Sequence, residues 1–195
     1  MERKYAWHNY DDATMEKVYA LSDTYRQFLD NGKTERECVV QAVEFAEAKG
    51  YVNLKDIIKS NTPIKAGDKL YYTHMDKSIA LFNIGTDDIE LGMNILGAHI
   101  DSPRIDVKQN PQYEDSNLVF WDTHYYGGIK KYHWVAMPLA IHGVVVKTDG
   151  TRININIGDN ENDPVFCITD LLPHLGQEQM QKNAAKVIEG EALDL

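Results

Sequence analysis

Three observations predict an α/β chain, with helices on a mixed sheet followed by a β-rich region. Two stretches before residue 50 repeat apolar residues at helical spacing behind capping residues. An uncharged apolar run, Asn94–His99, reads as a central strand ending in polar groups. From about Asn117 onward, short strand-like segments alternate with glycine, asparagine and aspartate turns.

Taken in order, Tyr5, Trp7 and Tyr10 form an aromatic arm expected to lie on the body or on a partner subunit. Asp11 or Asp12 caps a first helix whose stripe is Met15, Val18, Leu21, Tyr25, Phe28 and Leu29, and Asn31-Gly32 ends it. Thr34-Glu-Arg-Glu37 is a capping-box pattern for a second helix. Cys38, Ala42, Phe45 and Ala46 make its buried side, and Gly50 closes it. A short helix is expected near Leu54–Ile58, then strands over Lys69–His74 and Ser78–Ile84, then an acidic connection into the central strand. Arg104–Val107 alternates as a half-exposed strand that Asn110-Pro111 breaks. Leu118–Trp121, Pro138–Val146, Arg152–Ile157 and Val165–Ile168 read as further strands. The aromatic and glycine-rich stretch from His124 to Trp134 reads as a loop. The tail from Gln177 is weakly patterned and reads as a frayed end.

At 195 residues and 43% hydrophobic content, the chain can bury a core and form one or two domains. Its formal net charge is −10, with 30 acidic against 20 basic side chains, a balance that repels phosphate backbones and argues against nucleic-acid binding. No apolar run approaches the roughly 20 residues of a membrane helix. No apolar secretory segment is visible at the N-terminus, so a cytoplasmic location is expected. Cys38 and Cys167 are expected to be reduced, buried thiols.

The candidate chemistry sits where the central strand runs out. In an extended chain residues i and i+2 share a face, so His99 and Asp101 project together while Ile100 turns back. An imidazole beside a carboxylate is a metal-binding combination. The triplet alone is a weak motif, and such spacing also occurs where a strand ends in two solvated polar residues. His74-Met75-Asp76 has the same spacing but is followed by Lys77, and it reads as a polar hairpin turn. Ser102 lacks the Gly-x-Ser-x-Gly elbow of a nucleophile. His8, His74, His124, His133 and His142 read as structural or surface residues.

The longer string Gly97-Ala-His-Ile-Asp-Ser-Pro-Arg-Ile-Asp-Val-Lys-Gln-Asn-Pro111 resembles the segment carrying the first metal ligand in the M18 metallo-aminopeptidases. That family includes aspartyl aminopeptidase and aminopeptidase I. Thr123-His-Tyr-Tyr-Gly-Gly-Ile-Lys-Lys-Tyr-His-Trp134 and Ile168-Thr-Asp-Leu-Leu-Pro-His174-Leu resemble its bacterial, aminopeptidase-I-like branch. The resemblance implies a zinc-peptidase-like α/β domain, its N-terminal half at residues 1–112. A β-rich inserted domain of the dimerisation type then begins, part of it at residues 113–195. It implies His99 as a first metal ligand and Asp101 as the catalytic-site carboxylate that orients it. His174 is implied as a further ligand, or as a group acting from a neighbouring subunit. The cofactor implied is Zn2+, up to two ions per complete site, with Co2+ or Mn2+ as substitutes. The partners implied are a peptide substrate, a homo-oligomer and a complementing C-terminal chain. The family's bridging aspartate, Glu-Glu pair and last histidine have no counterpart in these residues, so the expectation is an N-terminal portion of an aminopeptidase with little or no activity alone. The competing expectation is a non-catalytic oligomerisation or interaction module of the same descent. A single-metal hydrolase built from His99, Asp101 and His174 is a weaker third.

Overall fold

The computed structural model describes residues 4–195. It divides into two compact units, the first running to Asp101 and the second Ser102–Leu195.

In the first unit, α1 (Asp12–Asn31) is capped by Asp11, whose carboxylate accepts from the Thr14 amide at 2.8 Å. α2 (Glu35–Ala48) opens with the expected capping box. Thr34 Oγ1 accepts from the Glu37 amide, and Glu37 Oε2 accepts from the Thr34 amide at 2.8 Å. These bonds satisfy donors that a helix start leaves without partners. Phe28 of α1 stacks on Phe45 of α2 at 6.3 Å, and the Gln41 side chain donates to the Phe28 carbonyl at 3.0 Å. Cys38, Val39 and Ala46 are buried, whereas Phe45 keeps an exposed edge.

A three-stranded sheet follows in the order β1-β2-β3. β1 (Val52–Asn53) runs parallel to β2 (Lys69–His74), and β2 pairs antiparallel with β3 (Ser78–Asn83). α3 (Leu54–Ser60) fills the crossover between β1 and β2. Buried Tyr71 fastens the sheet to α2 by donating its hydroxyl to Glu47 Oε1 at 2.7 Å, which also holds the phenol's pKa above its usual value. Met75 and Asp76 sit at positive φ in the β2–β3 turn, as expected of a polar hairpin tip.

The expected central strand does not form. After a 3-10 turn at Ile89–Leu91, the backbone to Pro103 is irregular. A strand exists only by pairing, and none of the described strands lies beside Asn94–His99. Its apolar side chains stand in solvent, Ile95 80% and Leu96 101% exposed.

In the second unit, β4 (Arg104–Asp115) and β5 (Leu118–Tyr126) form a long antiparallel hairpin. Pro111 does not end β4, because the register shifts between Val107 and Gln112 and a bulge tolerates a residue without an amide hydrogen. β5 absorbs His124–Tyr126, which the sequence assigns to a loop. β6 (Ile141–Val146) and β7 (Arg152–Ile157) form a second hairpin, in which Ile155 and Ile157 are the better-covered residues of the alternating face. Val165–Ile168 contributes isolated bridges to Leu139 and Val135 instead of a strand. Gly158 follows β7 at φ +111°, and a Cβ there would meet Ala140 Cα at 2.9 Å, so this close approach requires glycine.

The tail is not frayed. After the short α4 (Gln177–Gln181), Ile188 and Leu193 join Ile168 as the buried core of this unit, against Ile105, Tyr125, Trp134, Val135 and Leu139. Leu195 exchanges two backbone hydrogen bonds with Trp121, at 2.8 and 3.0 Å. Thr123, fully buried, donates its hydroxyl to the Leu193 carbonyl. Both cysteines are free, but only Cys38 is buried; Cys167 is exposed. Among the described residues no helix is long and apolar enough to cross a membrane.

Candidate metal centre

His99 and Asp101 meet even though no strand aligns them. The His99 Nδ1 atom lies 3.0 Å from the Asp101 backbone oxygen and 3.2 Å from its Oδ1. A carbonyl oxygen can only accept, so Nδ1 carries the hydrogen. That tautomer leaves a lone pair on Nε2. The imidazole is 84% exposed, so Nε2 is accessible from solvent. Arg104 opens β4 of the second unit. Its Nε donates to Asp106 at 2.7 Å, and its guanidinium stacks 4.1 Å over the cross-strand Tyr126 ring.

A neutral imidazole oriented through Nδ1–H by a carboxylate or carbonyl matches what zinc requires of a histidine ligand. The residues present therefore fit one ligand of a metal and its orienting partner. A closed tetrahedral site takes four ligands. Among the described residues no group of three or more His, Cys, Asp or Glu side chains is arranged to hold a metal ion.

His174 lies in the second unit, exposed in a turn whose Leu172 carbonyl accepts from the Leu175 and Gly176 amides at 2.9 Å each. Exposed Leu171, Leu172 and Leu175 surround it in sequence. His8, His74, His124 and His133 are exposed, and His142 is not. Its side chain is only 9% exposed, with Nε2 3.2 Å from Asp159 Oδ2. In the first unit, an open cleft of about 790 Å³ is lined by Lys49, Val52, Ile57, Pro63 and Leu70, and neither His99 nor Asp101 lines it. The contribution that sequence reasoning missed is the Asp101 carbonyl oxygen. Every residue carries one, so no sequence signal could have marked it.

The family model described as Aminopeptidase I zinc metalloprotease (M18) matches residues 28–193. The chain belongs to the M18 aminopeptidase family. Its M18 relatives include "Probable M18 family aminopeptidase 1" of Clostridium acetobutylicum, 53% identical over 194 residues, covering 100% of this chain and 42% of the relative. The protein of the same name from Thermotoga maritima is 46% identical over 182 residues. Among M18 crystal structures, the Thermotoga maritima aminopeptidase matches with a TM-score of 0.88 at 43% identity, over 100% of this chain and 41% of that one. Aminopeptidase I from Clostridium acetobutylicum matches at 0.83 and 53% identity, over 98% of this chain and 42% of that one. The helices and small sheets described above are thus an M18 architecture, and the chain spans 42% of the length of the Clostridium relative.

Proposed function

We propose that this chain supplies the first zinc ligand of an aminopeptidase that removes N-terminal residues from peptides. His99 would bind through Nε2, and Asp101 would hold the ring from the Nδ1 side. The observation that carries this reading is the Nδ1–H directed at two oxygens of Asp101, at 3.0 and 3.2 Å. When bound, zinc polarises the scissile carbonyl and brings its water toward a pKa of about 7. The chain's own residues supply orientation. Asp101 fixes the tautomer and raises the basicity of the imidazole, and His174 is a further ligand or a group offered across a subunit interface. Up to two Zn2+ ions occupy the completed site, with Co2+ or Mn2+ as substitutes.

Residues 1–112 then belong to the N-terminal half of the catalytic α/β domain, and 113–195 to part of the β-rich inserted oligomerisation domain of a cytoplasmic homo-oligomer. A Glu-Glu pair that would provide the general base does not occur in these residues. The 195-residue chain alone is therefore expected to show little or no turnover of Asp-, Glu- or Leu-anilides with zinc or cobalt. Robust turnover would mean that the chemistry has been placed on the wrong residues. Zinc uptake followed by native mass spectrometry should fall to background in His99→Ala, and equal uptake by the variant would remove His99 from the site.

The second reading, a non-catalytic oligomerisation module, draws on the exposed apolar group Leu171, Leu172, Leu175 and Met180. Stable oligomers that take up no zinc under the same titration would favour it.

A further inference from the structure

The cleft of the first unit opens where α2 ends, β1 and α3 follow it and β2 begins. Its apolar lining is Val52 and Leu70, register partners on β1 and β2, with Ile57 and Pro63. Leu70 is buried, but Val52 keeps 46% of its surface in water. The charged lining is three lysines, Lys49, Lys65 and Lys69, against one carboxylate, Asp68. That balance is the reverse of the whole chain, which carries 30 acidic against 20 basic side chains. Asp68 is engaged, because its carboxylate accepts from the Lys65 amide at 2.8 Å. Lys69 is engaged too. Its ammonium donates to the Lys49 carbonyl at 3.2 Å and lies 5.7 Å from the Tyr51 ring centroid. That carbonyl caps the C-terminal end of α2, where a helix concentrates about half a negative charge, so Lys69 answers the helix end. Lys49 and Lys65 are left over. Both are exposed, and among the described residues neither ammonium is in an ion pair. Two uncommitted cations beside wetted aliphatic surface complement a molecule with an anionic head and an apolar body. A volume of about 790 Å³ falls within the roughly 300–1,000 Å³ of small-molecule sites. A lysine ammonium acts as a point charge and no arginine lines the cleft, so the head need not be planar.

We infer that this cleft binds a small amphiphilic organic anion, an apolar body carrying a single carboxylate or phosphate head. Lys49 and Lys65 take the head, and Val52, Ile57 and Pro63 cover the body. The site is independent of the zinc reading, since neither His99 nor Asp101 lines it.

The test titrates the 195-residue chain in metal-free buffer and follows the Gly50 and Gly67 amide signals by nitrogen-15 NMR. Both glycines line the cleft at positive φ with open space at the Cβ position, so a bound molecule reaches their backbone. Decanoate and decyl phosphate are the probes, each below its micellar concentration. Decanol and acetate present the body and the head alone. The expected result is a saturable shift of both glycines with the two amphiphiles and none with decanol or acetate at equal concentration. The tighter amphiphile then names the preferred head. Hexanoate should bind about tenfold or more weakly than decanoate, because it has four fewer methylenes to bury. Lys49→Glu combined with Lys65→Glu should weaken decanoate binding about tenfold or more by reversing both charges. Lys49→Arg with Lys65→Arg should retain it. Circular dichroism should be unchanged in both double variants, because these side chains are already in water. If the charge reversal alters the dichroism, Lys49→Gln and Lys65→Gln decide singly in its place. Equal shifts with decanol, or decanoate binding untouched by loss of the lysine charges, would overturn the assignment. Shifts confined to the exposed Leu171, Leu172 and Leu175 would do the same. So would movement of Gly50 and Gly67 with protein concentration alone, which would give the cleft to a second copy.

Discussion

His99 keeps one nitrogen for the protein and one for a ligand, and the division comes from a two-residue reach within an irregular segment. The spacing of histidine and aspartate was legible in the sequence. The backbone oxygen that decides the tautomer was not, because it is common to every residue. Asp163 illustrates a second local device. Its carboxylate accepts from the Gly158 amide first, and also from Asn160, and these bonds hold its pKa below the usual 3.8. A depressed folded value means that the stabilisation is present above pH 3.8 and is lost as pH falls through the folded pKa. Asp163→Asn should therefore melt below wild type at neutral pH, and the gap should close in acid below pH 3.8; a gap that persists there would contradict the assignment. Tyr113 works in the opposite direction. Its hydroxyl donates to Asp194 at 2.6 Å, and this bond, with burial and the aspartate's charge, pushes its pKa up to about 12. Its stabilisation is complete below pH 10.0 and disappears as pH rises through about 12. Tyrosinate absorbance should show a group titrating near 12 that moves back toward 10.0 in Asp194→Asn.

Helices proved the most legible elements, because their signals are local. Asp11 and the Thr34–Glu37 box lie within a few residues of the bonds they make, whereas Leu21 and Tyr25 of the expected α1 stripe stand in solvent. The tail was misread for the opposite reason. Ile188 and Leu193 are separated by polar residues with no helical or strand period, so nothing nearby marks them as core. Their burial depends on β5, some 70 residues earlier along the chain, where Thr123 and Trp121 receive the tail. Lys108 adds to this closure by bridging Asp122 at 2.7 Å and Glu191 at 3.0 Å. The energetic weight lies in the apolar contact. Leu193 is 0% exposed, and Leu193→Ala should cost about 2–5 kcal/mol in urea unfolding of the second unit. A loss under about 0.5 kcal/mol, the range of ordinary surface changes, would mean that the tail is not docked.

At the scale of the whole chain, the two units meet in sequence beside the stretch that is least organised by its own contacts. Irregular backbone with exposed Leu91, Met93 and Leu96 is a protease substrate. Brief chymotrypsin treatment of the chain should cut first between Leu91 and Leu96, and mass spectrometry should recover fragments ending or beginning there. First cleavage within the β4–β5 hairpin would show that the segment is covered in solution.

What the residues alone determined is whatever depends on near neighbours. Helix caps, the β2–β3 and β6–β7 hairpins, the pairing of His99 with Asp101 and the M18 resemblance can all be read without coordinates, since each is written within a short window. Tertiary structure alone decided that Asn94–His99 has no strand beside it and that an unpatterned tail closes a core. A strand and a core are both defined by what lies against them, and no short window of sequence contains that partner.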